Sequence, residues 1–369
     1  MRCCKIVVVW LAVILLASSV FPAPAIDPVA DVTIPAGRSL ILPVTATSPA
    51  GRPLTFTVLS STAGIVPVLH TNNPFWKLSA VQVADPSAPG AFQTPFRGGT
   101  ATVTNVGDMT FMLFPEYAPH TVNVFQGLTY SGFFSSNTIF HRVITNFVIQ
   151  GGDPMTNGSG GPVFRYNDEF NPQAIFSGNG QLALANSGKN TDGSQFFVTV
   201  GQRRYLDFGY VIFGQLVRGF DVLTNINLTP TDTNSRPLAD VIIQQASYVT
   251  DSTDAVLTLI ATNVAGLNGT ITIVADDGIG GRSTNTFGAS VIADTDGNSQ
   301  PFFLPDAVTN LVGPANVTLT NRINAYELGG AELYWDPQFL DQASYNAASR
   351  SSFSNTNSLL RVRLKSHEN

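Results

Sequence analysis

Two stretches decide how this chain is read: Phe140 to Asp153, FHRVITNFVIQGGD, and Leu182 to Thr199, LALANSGKNTDGSQFFVT. Each sets apolar residues in short alternating runs, the period of a strand with one buried face, and interrupts them with Gly, Asn and Ser where turns belong. Alternation sorts the side chains. Phe196 cannot share a face with Phe197, so one of the pair is expected in a core and the other on the opposite surface. Phe140 is read as core in the same way. Arg142, Gln150, Asn186 and Gln195 are the polar residues that interrupt these runs, and a third stretch, Leu206 to Gly214 (LDFGYVIFG), adds further rings and aliphatic groups.

These three motifs, in this order, resemble the cyclophilin family of peptidyl-prolyl cis-trans isomerases, over roughly residues 98 to 248. The resemblance implies a closed eight-stranded antiparallel β-barrel with two capping helices, within a mainly β chain. It also implies a site. Arg142 matches the catalytic position, Phe147, Val148, Phe197, Leu206 and Tyr210 match the apolar pocket, and Gln150, Ala185, Asn186 and Gln195 match the residues that bind the substrate backbone. Some positions depart from the family pattern. Val148, Tyr205 and Tyr210 stand where many members carry methionine, tryptophan and histidine, and Thr145 replaces a common proline. Tyrosine still supplies an amphipathic ring, so a proline pocket survives. The indole donor that contributes to binding of the family's cyclic-peptide inhibitors is absent.

The chemistry implied needs few groups. Rotation about an amide must break C–N resonance, a barrier of about 18–20 kcal/mol, while the two planar forms of an Xaa-Pro bond lie within about 1 kcal/mol of each other. An isomerase has only to bind the twisted amide better than either planar form. A fixed cationic donor facing the prolyl nitrogen, with an apolar wall around the ring, meets that requirement. No nucleophile, metal or cofactor is needed, and His141 is read as a core or supporting imidazole rather than a base.

Composition fits such an enzyme built from strands. Charged residues make up 12% of the 369-residue chain, and the net charge of −6 leaves no basic footprint for nucleic acid. Expected partners are proline-containing unfolded or partly folded polypeptides, with envelope or cell-surface partners for the remaining modules. Arg2 and Lys5, the apolar run Ile6 to Ala17 and Ala23-Pro24-Ala25 form the pattern of a cleaved export signal over residues 1–25. Both cysteines, Cys3 and Cys4, lie within it, so the mature chain would carry no disulfide. That favours a bacterial periplasm, cell surface or extracellular setting.

Outside the isomerase region the pattern is all-β. Leu40, Leu42 and Val44, then Leu54, Phe56 and Val58, then Val256 to Leu259, Thr270 to Ile273 and Phe287 to Val291 alternate around turns. They resemble immunoglobulin-like and cadherin-like repeats of bacterial surface proteins. Neither flank holds the roughly seven strands of such a sandwich. The expected organisation is therefore residues 26–97 and 249–299 as two halves of one sandwich, the isomerase at 98–248 inserted between them, and 300–369 as a partial second repeat. A shift of 279 residues pairs Leu40 with Leu319 and Phe56 with Trp335, which supports the last point. Asp-rich turns at 276–278 and 294–298 lack the spacing of a calcium loop and read as turn chemistry. Asn157, Asn227, Asn268 and Asn316 begin glycosylation sequons.

Overall fold

The computed structural model describes residues 22–295 except 84–91, 94–99, 102 and 136–137, and beyond them only the backbones of four short strands. The expected export signal lies outside the described residues up to position 21. Most of the expected second repeat also lies outside them, although Leu333–Phe339 pairs antiparallel with Leu360–Ser366.

Two β bodies share the described chain. The first is a pair of sheets. Strands β1 (Val32–Pro35), β2 (Ser39–Val44), β3 (Thr55–Ser60) and β4 (Ile65–His70) come from before the isomerase motifs. The second body follows in the chain. It comprises β5 (Phe75–Val83), β6 (Val103–Leu113), helix α1 (Pro119–Tyr130), β7 (Arg142–Ile144), β8 (Val148–Gly151), β9 (Gln181–Leu184), β10 (Phe196–Thr199), β11 (Ile212–Arg218), helix α2 (Phe220–Asn227) and β12 (Val241–Val249). The chain then returns to the first body with β13 (Ala255–Ala261), β14 (Asn268–Asp276) and β15 (Arg282–Ile292).

In the first body β13 lies between β2 and β4, while the other sheet runs β1-β15-β14-β3. Every pairing but one is antiparallel; β1 runs parallel to β15. The strands alternate as the sequence predicts, and Ile34, Leu40, Val44, Phe56, Leu257, Leu259, Ile271, Ile273 and Phe287 meet in one core. Residues from before and after the second body thus share a single hydrophobic interior. Each such aliphatic side chain contributes roughly 1.5–3 kcal/mol on burial. Pro67 sits in β4, an edge strand, where its missing N–H costs no ladder bond.

The second body is an eight-stranded antiparallel sheet in the order β7-β8-β10-β9-β11-β6-β5-β12, curled around an aromatic core. Trp76, Phe111, Val143, Ile149, Leu182, Phe196, Phe213 and Ile243, one from each strand, point into it with Phe125 of α1 and Val222 and Ile226 of α2. Residues Thr138 to Phe140 reach both ends of the sheet. Ile139 bridges Asp153 on one side and Ile242 on the other, Phe140 N donates to the Val241 carbonyl at 2.9 Å and Ile243 N to the Thr138 carbonyl at 3.0 Å. Helix α1 starts at Pro119, where a missing N–H is harmless, but Ala118 offers no capping side chain. Glu169 replaces the cap from outside, accepting from His120 N at 3.0 Å and Thr121 N at 2.7 Å.

One expectation is corrected here. Residues 75–83, placed in the first flank by the expected span 26–97, form β5 of the eight-stranded sheet, between β6 and β12. Its alternate residues Trp76, Leu78 and Ala80 are fully buried in the aromatic core. The boundary expected at residue 98 therefore falls inside the second body, whose first strand begins at Phe75.

Candidate active site

Cross-strand register builds the site. Directly opposite residues of neighbouring strands share a face, and the pairs Arg142–Gln150, Gln150–Phe197 and Phe197–Ala183 place four residues in one row across β7, β8, β10 and β9. Their neighbours Val143, Ile149, Val198 and Leu182 point the other way into the aromatic core. Phe196 and Phe197 divide as alternation predicts, one in each core, and Phe140 is buried in the aromatic one.

The apolar half of the site packs on a third cluster. Val148, Phe176, Ala183 and Phe197 are buried there, with Phe147, Ala185, Leu206 and Tyr210 at its partly exposed edge. Phe176 stacks on Phe197 at 5.8 Å, and Tyr210 meets Phe197 edge-on at 5.4 Å. Phe147 lies parallel to the exposed ring of Tyr205 at 6.1 Å, and the Arg203 guanidinium sits 5.7 Å from its centroid. Ile41 of β2 and Val256 of β13 belong to the same cluster. The two-sheet body therefore forms part of the backing of this wall.

The polar half is a chain of hydrogen bonds. Half-buried Arg142 donates from Nη1 to Gln150 Oε1 at 3.3 Å, and Gln150 Nε2 donates to Gln195 Oε1 at 3.0 Å. Gln195 Nε2 in turn donates to the carbonyls of Gly158 and Gly160 at 2.9 and 2.8 Å. Each amide is thereby fixed in orientation. Asn186 donates from Nδ2 to the Gly209 carbonyl at 2.9 Å, tying the loop after β9 to the segment carrying Tyr210. Of the ten residues singled out from the sequence, Phe147, Val148, Gln150, Ala185, Asn186, Gln195, Phe197, Leu206 and Tyr210 lie in the wall or in the polar cleft beside it, and Arg142 joins them through its hydrogen bond to Gln150.

That cleft is lined by Gln150, Asn186, Gln195, Gly158, Arg165 and Thr191 among others. Sequence reasoning left Arg165 and Thr191 unassigned, since neither lies at a regular strand position. It also left Asp153, which organises the Gly-rich loop. Its carboxylate, fully buried, accepts from Met155 N at 2.7 Å, Asn157 N at 3.0 Å and Gly158 N at 2.6 Å, so the loop's carbonyls are presented to Gln195. An aspartate opening a run rich in Asn, Gly and Ser, Asp153 to Gly161, was the available signal. Gly152 is required beside it: φ is +82° and a Cβ would meet the Ser194 carbonyl oxygen at 2.3 Å.

Burial governs the ionisable groups nearby. His141 is buried and its pKa is pushed below the usual imidazole value, mainly by desolvation, so it is neutral near pH 7. Asp192, fully buried and facing Asp168, is pushed up to about 7 by desolvation and then by that neighbouring carboxylate. Asp207 is raised to about 6 by burial despite its ion pair with Arg204 at 2.6 Å.

Residues 100–248 match the family model of the cyclophilin type peptidyl-prolyl cis-trans isomerases. The chain is 41% identical over 168 residues to the peptidyl-prolyl cis-trans isomerase A of Mycobacterium tuberculosis, an alignment covering 41% of this chain and 92% of that protein. It is 40% identical over 152 residues to the peptidyl-prolyl cis-trans isomerase-like 1 of Neurospora crassa, covering 40% of this chain and 93% of that protein. With relatives of this identity spanned nearly end to end, the chain belongs to the cyclophilin family of peptidyl-prolyl cis-trans isomerases.

Proposed function

We propose that the isomerase turns over Xaa-Pro bonds at the row Arg142–Gln150–Phe197–Ala183, with Arg142 as the donor to the prolyl nitrogen of the twisted amide. The observation that carries this is the cross-strand register, which sets a cation, a fixed amide and a buried ring side by side on one face, with a second amide, Gln195, bonded to the first. The prolyl ring rests against Phe197 between Phe147, Val148, Leu206 and Tyr210. Gln150, Gln195, Ala185 and Asn186 hold the peptide backbone. When conjugation is lost the nitrogen regains its lone pair, and a guanidinium already oriented by Gln150 stabilises it without reorganisation. The rotation itself needs no proton transfer.

The test uses the full chain and a short Xaa-Pro peptide. Arg142→Ala is expected to lower kcat by about 10- to 1000-fold, the range for losing one preorganised donor, with thermal unfolding unchanged. Equal activity in the variant would sink the assignment.

Three further readings belong to this proposal. The Thr138–Phe140 bridges support a closed barrel rather than an open curled sheet. The seven strands contributed by both flanks, in sheets of three and four, support an immunoglobulin-like sandwich with the isomerase inserted in it. The N-terminal pattern supports export, so the substrates would be unfolded polypeptides outside the cytoplasm, with surface partners for the sandwich. Cleavage after Ala25, read by N-terminal sequencing of the secreted protein, checks the last point.

A further inference from the structure

The wall that holds the proline is not self-supporting. Behind Phe197 lies Phe176, in a loop without regular structure, and behind Leu206 lies a single helical turn, Arg204–Leu206. Both are short segments with few bonds of their own. Phe176 N donates to Asp207 Oδ1 at 2.7 Å, and Arg203 N donates to the Phe176 carbonyl at 2.9 Å, so the loop and the turn are tied to each other. The isomerase body holds this pair from one side, through Gln181 Nε2 to the Ile175 carbonyl at 2.6 Å and Arg203 Nη2 to the Val200 carbonyl at 2.7 Å, and the two-sheet body holds it from the other.

Two contacts reach across. Arg204, almost fully buried, donates from Nε to Asp207 Oδ2 at 2.6 Å, while its Nη1 faces Oδ1 of Asp294 at 3.5 Å. Asp294 follows β15 and accepts from Arg38 Nε at 2.5 Å, so its carboxylate is held from its own side. The second contact is Ser39 in β2, whose buried hydroxyl donates to the Gln173 carbonyl at 2.6 Å, three residues ahead of Phe176. Next to it Ile41 N donates to Ser177 Oγ at 3.4 Å and the Ile41 side chain packs in the cluster of Phe197 and Phe176.

We infer that Asp294 and Ser39 are positioning residues of the isomerase: acting through Arg204 and through the Gln173 carbonyl, the sandwich sets the position of the proline wall. This rests on the reading of Phe197 and Leu206 as that wall. The two-sheet body is then a working part of the enzyme and not an independent module attached to it. A guanidinium shared between two carboxylates is a suitable link, because its planar donors fix direction as well as distance.

The consequence differs in kind from that of losing Arg142. A displaced wall holds the prolyl ring less well in the planar and twisted forms alike, which raises KM and leaves kcat nearly unchanged. In the full chain, Asp294→Asn and Ser39→Ala are each expected to raise KM for an Xaa-Pro peptide about three- to tenfold, with kcat within about twofold of the parent, and Asp294→Glu to recover most of the loss of the first. Arg142→Ala is run beside them. If it abolishes turnover while both positioning variants keep the parental KM, the inference fails and the site stands; if it has no effect, the site itself is misassigned. A fall in kcat alone in the positioning variants also overturns the inference. Should Asp294→Asn fail to fold, Ser39→Ala decides alone, since it removes one hydroxyl and no charge.

Discussion

The aromatic core of the isomerase body and the aliphatic core of the sandwich solve the same problem differently. Inside the curled sheet, Trp76 meets Phe125, Phe134 and Phe196 edge-on at 5.3 to 5.6 Å, and its Nε1 donates to Thr129 Oγ1 at 3.0 Å. The sandwich fills its interior chiefly with Ile, Leu, Val and Ala from residues on either side of the isomerase. Large rings in fixed edge contacts bring specific geometry as well as burial, whereas branched aliphatics pack more interchangeably. The difference teaches where precision is needed: the row Arg142–Gln150–Phe197–Ala183 on the outside of the sheet inherits its placement from the rings on the inside.

The strongest way to break this contrast is to cut into both cores. Trp76→Ala is expected to cost about 3–5 kcal/mol and to lower isomerase activity at temperatures where the chain remains folded, because the strands carrying Phe197 lose their inner support. Leu257→Ala in the sandwich is expected to cost about 2–4 kcal/mol with a smaller effect on kcat. Denaturant melts followed alongside activity check the pair; equal catalytic losses per unit of stability would erase the distinction.

Buried carboxylates sharpen the comparison by a smaller amount. Asp254, beside the sandwich, is paired with Arg218 at 2.6 Å, while Asp192 in the isomerase body faces Asp168 instead. A folded pKa of about 7 lies above the unfolded value, so the native state holds more protons than the unfolded chain between about pH 4 and 7, and stability falls as the pH rises through that window. Asp192→Asn removes the ionisation. It is expected to stabilise the chain by ~1–3 kcal/mol at pH 8 and by little at pH 4, a difference read from melts at the two pH values. A gain of equal size at both would show that packing, not charge, is responsible.

Alternation, a local property, made the division of Phe196 and Phe197 between two faces legible in the sequence. The roles of Arg142 and Gln150 were legible only through the family resemblance, since their facing depends on the register between two strands. The fate of β5 was hidden because its partners, Asp108 and Met109 on one side and Ala246 on the other, are distant in sequence and a Pro- and Gly-rich run follows it. Arg204 and Asp294 stand 90 residues apart, and nothing in either neighbourhood announces the other. Pairwise charge contacts of this sort carry no periodicity and emerge only from the assembled fold.

The interleaving of the two bodies fixes an order of events during synthesis. Strands β1 to β4 leave the ribosome first, yet β2 and β4 are bridged only by β13, and β1 reaches β3 only through β15 and β14. Roughly 180 residues separate β4 from β13, which at ordinary elongation rates is a delay on the order of 10–40 s. For that interval the leading strands have open edges, and the curled sheet gains its last strand, β12, only just before β13 follows. The isomerase body is thus complete almost at the moment its flanking sheets can close, with Pro35, Pro43 and Pro67 already present in the leading strands.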